Sequence, residues 1–434
     1  MATVAAVKLW GRRIGAVSLD DGARFAQFEY EPALAASGVE PAPLTMPVGR
    51  AIHSFPGLAL ETFDGLPGLL ADSLPDRYGN ALIAAWLAEQ GRSPDSMNAV
   101  ERLCYVGTRG MGALEFEPAT GPERGQGRDL DVGRLVELAT RVLSKRDGLS
   151  VSLAPEEREQ AMQEILSVGT SAGGARPKAV VAWNLDTDSL RSGQLDLEPG
   201  FEHWLLKFDG VEERDEGLGG AQGYGAVELA YSRMARAAGI DMPETRLLEE
   251  NGRRHFMAKR FDRTPAGAKL HMQSLGALAH LDFNQTRAHS YEQAFLAIRQ
   301  LELGMDAIEE QFRRMAFNVL ARNQDDHVKN IAFLMDRDGT WSLSPAFDLT
   351  YAYKPGSPMT GQHQMSIDGE RDDVTAAHLH ACARTAAMAR GRADEILDEV
   401  AGAVARWPEL AADAGVPDSR TETIAANHRR LAVR

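Results

Sequence analysis

The run Asn323-Gln324-Asp325-Asp326-His327-Val328-Lys329-Asn330 sets seven polar side chains in eight positions, and its flanks fix what surrounds it. Upstream, Ile308, Phe312, Met315, Ala316, Val319 and Leu320 recur at helical spacing, which predicts an amphipathic helix over Asp306–Ala321. Downstream, Ile331–Met335 reads as a strand, Asp336-Arg337-Asp338-Gly339 as a turn and Trp341–Ser344 as a returning strand. Asn330 stands just before the first strand. Asp348, closing Ser344-Pro345-Ala346-Phe347-Asp348, stands just after the second. An antiparallel hairpin therefore brings an amide oxygen and a carboxylate side by side, two hard ligands that suit Mg²⁺ beside phosphate groups. Polar residues also terminate helices, but that accounts for one or two of these side chains and not for so dense a run.

The step from Asp325 to Asn330 is i, i+5, the spacing of Asp and Asn in the kinase catalytic loop H-R-D-L-x-x-x-N. In that loop the Asp accepts the proton of a substrate hydroxyl and the Asn binds Mg²⁺. Asp326 is one residue short of the step, so Asp325 is the candidate base. Three earlier segments extend the pattern. Gly169–Lys178 is glycine-rich, and glycines let backbone N–H groups approach phosphates. It fits neither GxxxxGK[ST] nor GxGxxG, and a plain turn has the same composition. Lys207 interrupts the apolar strand His203–Phe208, either as an edge lysine that snorkels or as a phosphate-holding lysine paired with Glu228 on the following helix, Ala226–Ala238. Met257–Asp262 lies where strand-rich sequence gives way to helical sequence, a junction that offers backbone groups to a purine but also reads as an ordinary strand end.

The 434 residues are 44% hydrophobic and 25% charged, enough for two or three packed domains without disulfide or metal staples. Cys104 and Cys382 form no CxxC pattern, which points to a reducing compartment. No basic-then-apolar leader opens the sequence and no run of 18 apolar residues interrupts it, so a cytoplasmic location is expected. A net charge of −15 repels a phosphate backbone and disfavours autonomous nucleic-acid binding. The polar, glycine-rich Gly121–Gly127 is the best linker. The expected organisation is α+β: a small α+β unit over 1–125, a strand-rich lobe with the glycine-rich loop over 126–265, and a helical lobe over 266–434.

The motifs together resemble the HipA family of bacterial toxin kinases. Val7-Lys8-Leu9-Trp10-Gly11, Leu70–Asp76 and Gly112–Phe116 are similar to its N-terminal subdomain. Gly173–Lys178, His203–Lys207, Arg260–Arg263, Asp325–Asn330 and Pro345–Asp348 follow the order of its two-lobed, protein-kinase-like domain. The resemblance implies a serine/threonine protein kinase that uses ATP and Mg²⁺. Asp325 would be the base, Asn330 and Asp348 the Mg²⁺ ligands, and Lys207 a phosphate contact. Lys259, Phe261, His327 and Phe347 would line the nucleotide pocket. Gly173, Gly174, Ala175, Arg176, Pro177 and Lys178 would form the phosphate-side loop, although Arg176 and Pro177 depart from the Ala-Gly-Ala-Gln-Glu-Lys of some members. Ser171 would be the autophosphorylated serine that switches the kinase off, with Thr170 its rival. Family members pair with a small helix-turn-helix antitoxin of the HipB type, reach operator DNA through that complex, and in the best-known cases phosphorylate an aminoacyl-tRNA synthetase. Arg384, Arg390 and Arg392 form either a basic strip toward DNA or a solvated helix face. Two other readings remain open: an inactive kinase-like co-repressor scaffold, and a small-molecule phosphotransferase.

Overall fold

The structure is a computed structural model that describes residues 2–122, 129–143, 162–166, 168–169, 176–194, 197–211 and 223–431. Period-two alternation builds the first sheet. Thr3–Leu9 (β1) buries Ala5, Val7 and Leu9, and Arg12–Leu19 (β2) buries Ile14 and Val17. Gln27–Tyr30 (β3), Ile52–His53 (β4) and Leu114–Glu117 (β5) complete an antiparallel sheet in the order β4-β3-β2-β1-β5. The expected strand Ala23–Tyr30 is therefore only its second half, because residues 21–25 are taken up by turns and bends. The helix Ala99–Val106, begun by a capping box of Asn98 and Glu101, lays Val100 and Leu103 on this sheet.

The second sheet comprises Lys178–Asn184 (β6), Ser189–Ser192 (β7), Phe201–Lys207 (β8), Thr245–Glu250 (β9) and Arg253–Lys259 (β10), in the order β7-β6-β8-β10-β9. β7 lies in what sequence alone reads as a loop, since Ser189-Leu190-Arg191-Ser192 offers one apolar residue to a pattern detector. The helices Arg77–Glu89 and Val132–Leu143 cover one side through Leu82, Leu87, Leu135 and Val136, packed with Val181, Trp204, Leu206 and Met257. This core draws on residues from both sides of the Gly121–Gly127 linker. On the other side the helix Tyr224–Ala237 crosses β10 closely, because a Cβ on Gly225 would run into the Arg254 carbonyl.

The largest core belongs to the C-terminal half. The helix Gly304–Leu320 buries all six residues of its predicted stripe. Around it pack Tyr291–Gln300, Ala376–Thr385, Arg392–Ala405 and Trp407–Asp413, with Ile424 of Asp418–Asn427. The expected hairpin forms from Ala332–Met335 and Trp341–Leu343, with Phe333 opposite Leu343 and Met335 opposite Trp341. It gains a third strand, His271–Ser274, in a stretch too short and mixed to show a period. His289–Ser290 and Met365–Ser366 pair separately in parallel. The N-terminal unit is docked through polar ties: Ser274 N and Oγ donate to Asp72 at 2.7 and 2.9 Å, and Gly112 N donates to buried Asp262 at 2.7 Å. No helix among the described residues is long and apolar enough to cross a membrane.

Candidate active site

Register places two lysines where they interact. Lys207, at the end of β8, lies directly opposite Lys178 of β6 on one side and Phe256 of β10 on the other. Like charges in that position are destabilising unless each finds its own counter-charge. Lys207 Nζ donates to Glu228 Oε1 from the crossing helix and to Asp348 Oδ1 from beyond the hairpin. Lys178 Nζ stands 3.4 Å from Asp76 Oδ2, and both side chains are almost completely buried. Asp76 divides its oxygens, since Oδ1 caps the Arg77–Glu89 helix by accepting from Gly79 N at 2.7 Å. Burial opposes the charge on Lys207, but the Asp348 and Glu228 carboxylates outweigh it and hold its pKa up at about 12. Burial likewise opposes the charge on Asp348, and Lys207 and Lys178 overcome it, holding its pKa at about 2. Lys178 is pushed down by burial, which Asp76 and Asp348 only partly offset. Buried charges arranged this densely are weak evidence for stability and better evidence for a site. Asp348 also adopts a left-handed backbone, φ 54°, a conformation that costs roughly 1–3 kcal/mol for a non-glycine residue.

The polar run that follows the Gly304–Leu320 helix divides in two. Asn323, Gln324 and Asp326 point inward and are buried. Asp326 Oδ2 accepts from Tyr291 Oη at 2.7 Å and faces His363 Nδ1 at 2.8 Å, while Oδ1 accepts from Gln364 N at 2.8 Å. Behind them, Asn318 Nδ2 donates to Tyr291 Oη at 3.0 Å and Asn323 Nδ2 to Asn318 Oδ1 at 2.9 Å. Much of the run thus has a structural duty that the sequence reading did not assign. Asp325, His327, Lys329 and Asn330 remain half-exposed. Asn330 Nδ2 donates to the Asp325 carbonyl at 2.9 Å, and a short 3-10 turn over Val328–Asn330 sets this i, i+5 contact. Asn330's amide nitrogen is engaged in this bond, and its side-chain oxygen is not. Burial raises the Asp325 pKa; His327, 3.9 Å away, pulls it down, and the Asp348 and Asp326 charges push it further up.

A cleft of about 690 Å³, including its open mouth, lies between the second sheet and the hairpin. Lys178, Lys207, Glu228 and Asp348 supply its charged end, and Leu205, Met242, Phe256, Ala258, Phe261, Met272 and Phe347 its apolar walls. The Phe261 and Phe347 rings lie 5.6 Å apart. Lys259 also lines it, but its N–H already donates to the Glu244 carbonyl at 2.8 Å, and Arg260 N–H to His203 at 2.9 Å. Those two backbone donors are therefore not open to a base. Phe261 lies two residues past the end of β10, which stops at Lys259, short of the strand expected from sequence to run through Phe261.

Not every expected residue enters the cleft. His327 packs against Phe283, ring centroids 6.0 Å apart, beside Asp325 and away from the walls. Pro177 fixes the start of β6, its carbonyl accepting from Phe208 N at 3.0 Å. Arg176 borders an adjoining hollow with Lys207 and Glu228. Ser171, Thr170, Gly173, Gly174 and Ala175 lie outside the described residues. Sequence reasoning missed Asp76, which it read only as part of a family-like segment, and the methionine-rich wall. Asp76 carries an N-cap signal, and nothing local reveals that its second oxygen meets a lysine a hundred residues on. Arg392 is matched by Glu309 and Glu395, each at 2.8 Å, which favours the solvated-face reading of the Arg384–Arg392 strip. Cys104 and Cys382 are buried and unpaired with each other.

Among the described residues no group of three His, Cys, Asp or Glu side chains is arranged to hold a metal ion. Asn330 and Asp348 flank the same hairpin, and of the two only Asp348 lines the cleft. An amide oxygen and a carboxylate are donor types that suit a hard cation which keeps waters and takes its other ligands from phosphate, as Mg²⁺ does.

Comparison with known proteins adds the lineage. Residues 5–117 match the model of the HipA N-terminal domain, and residues 170–407 match that of the HipA-like C-terminal domain. The candidate kinase Y4dM of Sinorhizobium fredii is 32% identical over 160 residues, 31% of this chain and 38% of that protein. A candidate kinase of Haemophilus influenzae is 28% identical over 134 residues, 28% of this chain and 39% of that protein. The chain thus spans less than half the length of the curated relatives it matches. Its fold is that of HipA in the Shewanella oneidensis HipA, HipB and operator DNA complex: the likeness covers 97% of this chain and 94% of that one, with a TM-score of 0.68 at 18% identity.

Proposed function

This chain belongs to the HipA family, and from that premise we propose that it is a Mg²⁺- and ATP-dependent serine/threonine protein kinase, the toxin of a toxin–antitoxin pair. The observation that carries the reading is the shared ion array, in which Lys207 is held between Glu228 and Asp348 at the charged end of an apolar-walled cleft. A scaffold gains nothing from three charges held this close together and a left-handed Asp348. The N-terminal unit, matched over 5–117, favours this reading over a small-molecule phosphotransferase.

Lys207 and Lys178 place two positive charges where the triphosphate would lie, and Glu228 keeps Lys207 extended along β8. Phe261, Phe347 and the methionines exclude water around the base. Asp325 takes the proton of the acceptor hydroxyl, a contribution of roughly 10²–10⁴ in rate. Asn330 and Asp348 would hold Mg²⁺, which supplies charge neutralisation for the transferring group when bound. Regulation and partnership follow the family: autophosphorylation at Ser171, a HipB-like helix-turn-helix antitoxin, operator DNA reached through that complex, and a cytoplasmic translation component such as an aminoacyl-tRNA synthetase as substrate. The acidic surface, net charge −15, suits a basic DNA-binding partner.

Calorimetry with ATP, with and without Mg²⁺, tests the site. Wild type should bind Mg-ATP, and the double variant Asn330→Ala/Asp348→Ala should lose the Mg²⁺-dependent part. Equal affinity in both proteins would remove the metal assignment.

A further inference from the structure

Residues from both matched units meet at the charged end of the cleft. Lys178 opens β6 and lines the cleft. Asp76, from the N-terminal unit, stands 3.4 Å from it, with no more than 4% of either side chain exposed. Met111, from the same unit, also lines the cleft, and Gly112 beside it is fastened to Asp262 at 2.7 Å. The N-terminal unit is therefore part of the cleft wall as well as docked against the rest of the chain.

Lys178 needs a fixed partner more than most lysines do. Its register opposite Lys207 sets two ammonium groups on flexible stems against each other, and the carboxylates of Glu228 and Asp348 are already bonded to Lys207. A buried ammonium without a partner is costly, and Asp348, at the same end of the cleft, is the carboxylate to which Lys178 would otherwise turn. Asp76 can prevent that because it is itself held. Its Oδ1 accepts from Gly79 N at 2.7 Å, at a helix N-terminus that favours negative charge. Asn80 Nδ2 donates to the Pro75 carbonyl at 3.0 Å and ties down the preceding residue. The helix that follows is locked by Tyr78, Leu82, Ile83 and Leu87, which share one core with Ala179 and Val181 of β6. Asp76 Oδ2, buried and without a hydrogen-bond donor among the described residues, faces the Lys178 ammonium as an ion pair. An ammonium has three donors, so a carboxylate on one side leaves others for phosphate oxygens.

Resting on the kinase reading above, we infer that Asp76 is a positioning residue of the nucleotide site: it aims Lys178 at the ATP phosphates and keeps it away from Asp348, so that the N-terminal unit completes the phosphate-binding end of the cleft.

The test uses the full chain and a substitution that separates the two duties of Asp76. Asp76→Asn keeps the helix cap, since asparagine caps as well as aspartate, and removes only the charge. Mg-ATP affinity, read by calorimetry, should fall about tenfold, the loss appearing in turnover as a raised KM for ATP with kcat within a few-fold of wild type. Adenosine, which carries the base and ribose without phosphates, should compete with Mg-ATP as well against the variant as against wild type. Stranding Lys178 lowers stability, so a second comparison avoids it. Lys178→Met should also weaken Mg-ATP binding, and Asp76→Asn combined with Lys178→Met, which leaves neither charge buried alone, should bind no more weakly than Lys178→Met. Unchanged Mg-ATP affinity in Asp76→Asn or in Lys178→Met overturns the inference and leaves the kinase reading standing. So does an equal loss for adenosine, or a double variant weaker than Lys178→Met, because either result makes Asp76 a structural residue that does not act through Lys178. Failure of the unmodified chain to bind Mg-ATP would instead remove the kinase reading beneath it.

Discussion

On the inner face of residues 323–330, Asp326 accepts from Tyr291 and Gln364, faces His363, and is 4% exposed. On the outer face, Asp325 keeps 47% of its side chain exposed and stands 3.9 Å from His327. Adjacent, chemically identical carboxylates are thus put to opposite uses. The inner one spends its lone pairs on the fold and fixes where the loop lies. The outer one is left half-exposed, and burial with the neighbouring carboxylates raises its pKa. A rigid rear and an uncommitted front are what positioning a proton acceptor requires, since a misplacement of about an ångström can cost around a hundredfold in rate.

The largest expected effect falls on the front. Asp325→Asn should lower phosphate transfer by roughly 10²–10⁴ and leave Mg-ATP affinity and melting temperature close to wild type, because the carboxylate acts on the acceptor. A kinase assay run beside calorimetry and a thermal melt checks all three quantities. The wild-type profile carries a second signature. A base must be ionised to work, so kcat/KM should fall as pH drops through the Asp325 pKa. Burial has raised that value, and the acid limb should lie above the ordinary aspartate range. Stability has the opposite sign: a carboxyl with a raised folded pKa is least destabilising when protonated and most costly once ionised. An acid limb within the ordinary aspartate range would show that the front is no different from bulk solvent.

Asp326→Asn probes the rear and should be a stability variant. Replacing a charged acceptor that serves Tyr291, His363 and Gln364 leaves at least one buried group poorly matched, a cost of about 1–3 kcal/mol. Denaturant titration reads it directly. The protein that remains folded should transfer phosphate far better than Asp325→Asn. If the melt is unchanged and the rate collapses, front and rear have been assigned the wrong way round.

The sequence made the front easier to find than the rear, for a physical reason. Asp325, Asn330 and Asp348 are positioned by local geometry, namely a helix end, a 3-10 turn and one hairpin, and each of these leaves a periodic or turn signal. Lys207 and Glu228 could be paired because a strand lysine followed by a helix carboxylate is a short-range pattern. The partners of Asp326 come from positions 291, 363 and 364, and the partner of Lys178 from position 76, contacts that only tertiary packing creates. The same limit hid His271–Ser274, whose pairing partner lies about sixty residues away. Spacing set Asp326 aside as a base candidate, but it could not say what Asp326 binds in the fold.

The smallest effect should come from Tyr291→Phe, which removes one hydroxyl from the rear and nothing from the front. That hydroxyl donates to Asp326 at 2.7 Å and receives from Asn318 at 3.0 Å, so its loss costs one charge-assisted bond and leaves the Asn318 donor to find another acceptor. Burial, reinforced by the Asp326 charge, pushes the phenol pKa far up, so the hydroxyl stays protonated and remains a donor at any working pH. A loss of about 1–2 kcal/mol is expected, with kcat within a few-fold of wild type. Combination with Asp326→Asn should then cost less than the sum of the two, because the second change removes a bond the first has already broken. Strict additivity in denaturant titrations would mean that Tyr291 and Asp326 stabilise the loop independently, and the rear would be a set of separate contacts with no shared anchor.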